Sequence, residues 1–283
     1  MKGSSLLLMT VISSSSVALI LKAAGTRKIP IWGLIASNYF VCSLSTLIWG
    51  GWQTIAGASP LLWGLSVFTG SMYVLSLWLF HKAISADGLA LSTTLMRLSS
   101  ALPTLGSLLI FREGTSPLRA AGIALAFLSL SLAGREPLRL PKRGQRLNPG
   151  ITWGLLLFGA YGVTDFTFKI QAELIPDAHP QAFMIGIFGT ALLISLPGLF
   201  RDPQPSTTTL LWGALLGAAN MLATYFWIRT LAVLPGSIAY PTLGVGVISV
   251  GTLAGLVIWK EKLRPANVLF LILASLSILL INI

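Results

Sequence analysis

Ten runs of about twenty residues, almost free of charge, occupy most of this chain and leave little between them but short basic or proline-containing links. They cover 4–21, 30–51, 61–81, 89–111, 117–133, 151–170, 180–200, 209–229, 236–259 and 266–282. About 20 apolar residues, each rising 1.5 Å, cross the roughly 30 Å hydrocarbon layer of a bilayer as one helix. Lipid offers no partner to a backbone N–H or C=O, so such runs must satisfy their own hydrogen bonds. Pro30, Pro60, Gly88, Pro117, Pro149, Pro180, Pro235 and Pro265 stand at or near the starts of these runs, where proline costs no helical hydrogen bond. The expected fold is an all-α integral membrane protein of ten transmembrane helices. A mean hydropathy of +0.83 excludes an ordinary soluble domain.

The net charge of +11 does not point to nucleic acid, because the basic residues lie in links between apolar runs and form no basic face. Thirteen Lys and Arg fall in alternate links, among them Lys22, Lys82, Arg135 to Arg146, Arg201 and Lys260 to Arg264. By the positive-inside rule those links are cytoplasmic and both termini are outside. Cys42 is the single cysteine, which leaves no disulfide within the chain and no thiolate cluster. The first run lacks a small-residue cleavage motif, so it is expected to stay as a helix and not be removed as a signal peptide.

The chain also repeats itself. "LLWGLSVFTGSMYVLSLW" from Leu61 aligns with "LLWGALLGAANMLATYFW" from Leu210 at an offset of 149, pairing Trp63 with Trp212, Met72 with Met221 and Trp78 with Trp227. "FREGTSP" from Phe111 aligns with "WKEKLRP" from Trp259 at an offset of 148. Hydrophobicity alone does not bring Trp, Glu and Pro into register. The expected organisation is a five-helix repeat over 1–134, a basic linker over 135–150 and a second five-helix repeat over 151–283. Five is odd, so the second repeat enters from the opposite side; inverted repeats of this kind favour alternating access around a midplane site.

Paired five-helix halves, each with an acidic residue shortly before a helix-starting proline (Glu113 with Pro117, Glu261 with Pro265), resemble the drug/metabolite transporter superfamily and its EamA-like ten-helix members. "SNYF" from Ser37, "MRLSSALP" from Met96 and "GVTDFTFK" from Gly162 extend the resemblance over the whole chain. It implies a substrate cavity between the halves and export or exchange of small metabolites.

A charge at the bilayer centre costs about 2.5 to 3.5 kcal/mol on insertion scales, so charges inside a span are candidates for function. Arg97 and Asp165 are the two, and neither recurs: at the repeat offset Arg97 aligns with Val245. Asp165 shares a helical stripe with Tyr161 and Lys169, four residues to either side. Counted from one membrane face, Arg97 and Asp165 are about 9 Å apart in depth at 1.5 Å per residue. Either the two neutralise each other within the bundle, or they flank a substrate that lacks two-fold symmetry. A guanidinium fork suits a carboxylate or phosphate. Asp165 is the interior group through which a proton gradient would be coupled.

The candidate substrate-binding set is Arg97, Asp165, Lys169, Tyr161, Asn38, Tyr39, Asn220 and Tyr240. Glu113 and Glu261 recur and are expected to cap the helix starts just after them. Pro103 and Pro241 are expected to interrupt their helices, and the glycines over 243–257 to allow close packing. His81 and His179 have no metal-ligand spacing and no phosphate-binding loop is present, so no enzyme, metal or cofactor is expected. These features together predict a multi-pass plasma-membrane protein, monomer or homodimer, that binds a small polar solute and no nucleic acid. The function expected is a secondary transporter, exporter or exchanger; the alternatives are a flippase for lipid-linked headgroups and a non-transporting membrane scaffold.

Overall fold

A computed structural model describes residues 3–27, 29–87, 89–133, 149–200, 206–260 and 265–282. Among these the chain forms only helices: α1 (Gly3–Thr26), α2 (Ile31–Ala56), α3 (Pro60–Asp87), α4 (Leu89–Leu98), α5 (Ala101–Leu109), α6 (Pro117–Ala133), α7 (Pro149–Leu174), α8 (Pro180–Ser195), α9 (Thr207–Leu231), α10 (Gly236–Ile258) and α11 (Pro265–Asn282), with a short 3-10 turn over Leu196–Phe200 after α8. Among the described residues, six stretches are long and apolar enough to cross a membrane: Gly3–Thr26, Ile31–Gly50, Pro60–Phe80, Pro180–Phe200, Thr207–Leu231 and Gly236–Ile258. The apolar helices over Pro117–Ser131 and Val268–Ile281 are shorter. The chain is a multi-pass helical membrane protein. Most of the expected linker, 134–148, lies outside the described residues, as does Glu261.

The run over 89–111 is two helices, not one. Pro103 has no N–H to give the carbonyl of Ser99, which takes the N–H of Leu102 instead at 2.9 Å. The hydroxyls of Ser99 and Ser100 turn back to the carbonyls of Met96 (2.6 Å) and Arg97 (2.8 Å). The break therefore falls at Ser99 and Ser100, within the turn that follows Arg97 and Leu98. Pro241, expected to interrupt its helix, lies within a continuous α10.

The helices fall into two compact units, each drawing on both halves of the sequence. The first comprises Met1–Val74 and Ile170–Val233. In it α9 packs along α1 and α2, and α8 along α2. Glycines set those distances. A Cβ on Gly217 would stand 2.7 Å from the carbonyl oxygen of Asn38, and one on Gly213 would meet the side chain of Ser37. Thr10 and Thr230 join α1 to α9 through their hydroxyls at 3.0 Å. Gly217→Val should lower the thermal stability of the purified protein by about 2 to 3 kcal/mol, since the obstacle is backbone and cannot move aside. Unchanged melting would contradict this packing.

The second unit comprises Leu75–Lys169 and Leu234–Ile283. Its core gathers Ile123, Ala126 and Leu130 of α6, Val245 of α10, and Phe270 and Ala274 of α11. A second cluster packs Leu79 and Ala83 of α3 against Leu157 of α7, with Trp153 and Tyr161 at its edge. In the glycine-rich run of α10, Gly244 would bring a Cβ to 3.3 Å from Leu130, and Gly251 has nothing within 4 Å.

Among the described residues, two that are not glycine adopt a left-handed backbone, Arg112 and Lys260, each with φ 52°. They stand 148 residues apart, at matching places in "FREGTSP" and "WKEKLRP". Both follow the end of a helix, where glycine normally takes this conformation. Arg112→Gly should therefore raise stability by up to about 1 kcal/mol and Arg112→Val lower it, by thermal melting.

Candidate functional site

The stripe Tyr161, Asp165 and Lys169 runs along α7 within the second unit, and the structure divides it. Lys169 is buried, and its ammonium lies 2.6 Å from Oε1 of Glu113. That oxygen also accepts the N–H of Gly236 at 2.8 Å, while Oε2 accepts the N–H of Ser237 at 2.8 Å. The left-handed turn at Arg112 makes this geometry. It folds the chain back so that the N–H of Glu113 reaches the carbonyl of Ser107 at 3.1 Å, and the carboxylate is carried to the first turn of α10.

One expectation is corrected here, and one predicted site residue is found paired. Lys169, predicted to line a substrate cavity, is neutralised by an internal carboxylate. Glu113 caps a helix, but the helix is α10 and not the adjacent α6, because Ser116 already caps α6 by accepting the N–H of Arg119 at 3.2 Å. Burial pushes the carboxyl of Glu113 up, but hydrogen bonds from Lys169, Ser237 and Gly236 outweigh it and hold the group below the ordinary carboxylate value. A lowered folded-state value means the stabilisation is complete above the unfolded carboxylate value of about 4.3 and is lost as pH falls through the folded one. Melting temperature against pH should fall below about pH 4 in the wild type, and that fall should be shallower in Glu113→Gln.

Arg97 and Asp165 behave differently from that pair. Arg97 lies in the last turn of α4, just before the helix break, and Asp165 sits in α7. Their charges act on each other and on the phenol of Tyr161. Yet among the described residues no ion pair within 4 Å joins them, and both remain partly exposed. Tyr161 is half-buried beside them. This trio is what remains accessible of the predicted set in the second unit. Tyr240, expected to line a cavity, is fully buried, and its hydroxyl donates to the backbone carbonyl of Asp165 at 2.7 Å. Its part is to tie α10 to α7 at the level of the carboxylate.

The other predicted residues belong to the first unit and are engaged in packing. Nδ2 of Asn220 donates to Oδ1 of Asn38 at 3.3 Å, linking α9 to α2. Cys42 donates its thiol to the carbonyl of Gly217 at 3.2 Å in the same seam. Tyr39 is buried with its ring 6.4 Å from that of Phe188. Buried amides in lipid need partners, and here they have found each other.

Sequence reasoning missed Ser107 and the first turn of α10. A signal was present: α10 begins after Pro235, which has no side-chain group to cap it, so its first N–H groups require a partner from elsewhere in the chain.

No family model matches the chain. An uncharacterized protein of Haemophilus influenzae is 26% identical over 286 residues, covering 96% of this chain and 95% of that one. A crystal structure at 16% sequence identity matches 99% of this chain and 96% of its own with a TM-score of 0.79. At that identity the likeness is one of fold.

Proposed function

We propose that the chain is a secondary transporter of the plasma membrane, an exporter or exchanger for a small polar solute bearing an anionic group. On this reading its ten helical runs form two inverted five-helix repeats of the EamA-like kind, which alternate access to a midplane site. Arg97 binds the anionic group, Asp165 binds an amine or a proton, and Tyr161 stands beside both.

The observation that carries the reading is a contrast within one unit. Glu113 and Lys169 meet at 2.6 Å and satisfy each other, whereas among the described residues Arg97 and Asp165 form no ion pair within 4 Å and keep part of their surface open. A static scaffold would be expected to neutralise its interior charges, as it does for the first pair. The repeat is supported by the left-handed residues Arg112 and Lys260, a conformation unusual for a long side chain and found at matching positions. Asp165→Asn tests the coupling. Reconstituted in proteoliposomes, the wild type should accelerate solute flux under an imposed pH gradient and the variant should not. Flux by Asp165→Asn that still followed the gradient would remove the proton role from Asp165.

A further inference from the structure

The first turn of α10 offers more donors than its occupant engages. The N–H groups of Gly236 and Ser237 and the ammonium of Lys169 hold both oxygens of Glu113. A further donor adjoins them. The hydroxyl of Ser107 is fully buried, has no hydrogen-bond partner among the described residues, and lies so close to Gly236 that a Cβ there would collide with it. Donors from α5, α7 and α10 thus converge on a helix N-terminus, where backbone dipoles already favour negative charge. An unmade hydrogen bond in such a place is costly, and a planar carboxylate has only two oxygens to share.

We infer that this cluster is a binding site for a tetrahedral oxyanion, which Glu113 fills as a tethered surrogate. Inorganic phosphate matches the donor set. Two of its oxygens take the places of the Glu113 carboxylate, and a third reaches Ser107. Displacement keeps the charge around Lys169 balanced, because one anion leaves as another arrives. Glu113 is suited to leave, since it stands in the short irregular segment between α5 and α6 and keeps some exposure. The inference stands apart from the transport reading, which rests on Arg97.

The test is thermal melting of the full chain in detergent, titrated with sodium phosphate, sodium acetate or sodium chloride at equal ionic strength. Glu113→Ala should melt lower than the wild type and be restored by several degrees in phosphate, less in acetate and not in chloride, while the wild type shifts little. Adding Ser107→Ala should reduce the phosphate effect to that of acetate, and adding Lys169→Met should remove both. No rise beyond chloride, a phosphate rise that still exceeds that of acetate after Ser107→Ala, or any rise that survives Lys169→Met, would overturn the site. Should Glu113→Ala give no folded protein, Glu113→Asp, which withdraws the carboxylate by one methylene, is judged by the same titration. Adding Arg97→Ala should leave the phosphate effect intact, so loss of the transport reading leaves this result standing.

Discussion

Arg97→Ala should reduce solute flux in proteoliposomes by about 100-fold while leaving the melting temperature unchanged or slightly higher. Two charge-assisted hydrogen bonds from a guanidinium fork are together worth about 3 kcal/mol, and each 1.4 kcal/mol is tenfold in affinity. Stability should not suffer, because no ion pair within 4 Å is broken and an interior charge is removed. Arg97→Lys should recover little, since an ammonium supplies the charge without the planar fork. If Arg97 served the scaffold instead, Arg97→Ala would lower the melting temperature markedly.

Glu113→Gln should be among the most destabilising single substitutions in the second unit, costing about 3 to 5 kcal/mol. It leaves the ammonium of Lys169 buried beside a neutral amide and turns a pure acceptor into a group that also presents donors to the N–H groups of Gly236 and Ser237. Lys169→Met should cost less, because Glu113 keeps its two backbone hydrogen bonds. The double substitution should be more stable than Glu113→Gln alone. Equal melting of Glu113→Gln and the wild type would show that the 2.6 Å pair contributes nothing.

The helical, membrane-embedded character of the chain was legible because hydropathy and proline placement are local properties. The break after Leu98 was half legible: Pro103 announced a disturbance, but the serine hydroxyls that place it at Ser99 and Ser100 gave no periodic sign. In the site, the isolation of Arg97 and Asp165 in apolar sequence was visible. Their failure to pair was not, because it depends on how α4 and α7 are placed in space. The partners of Lys169 and Tyr240 were hidden for a related reason. A stripe shows which side chains share a face, but their partners, Glu113 and the carbonyl of Asp165, arrive from 56 and 75 residues away. Asn38 and Asn220 stood in the candidate set as separate residues, and the structure joins them to each other across 182 positions of sequence.

The most direct test of the central claim is a charge exchange. Arg97→Asp combined with Asp165→Arg keeps both charges in the second unit and reverses their places. Counterflow in proteoliposomes, using the amino acids, nucleosides or choline-like amines that shift the melting of the wild type, should be lost in each single variant and remain lost in the exchanged pair, because a solute with distinct ends reads which charge stands where. Flux restored by the exchange would mean that Arg97 and Asp165 serve only each other, and would contradict the account.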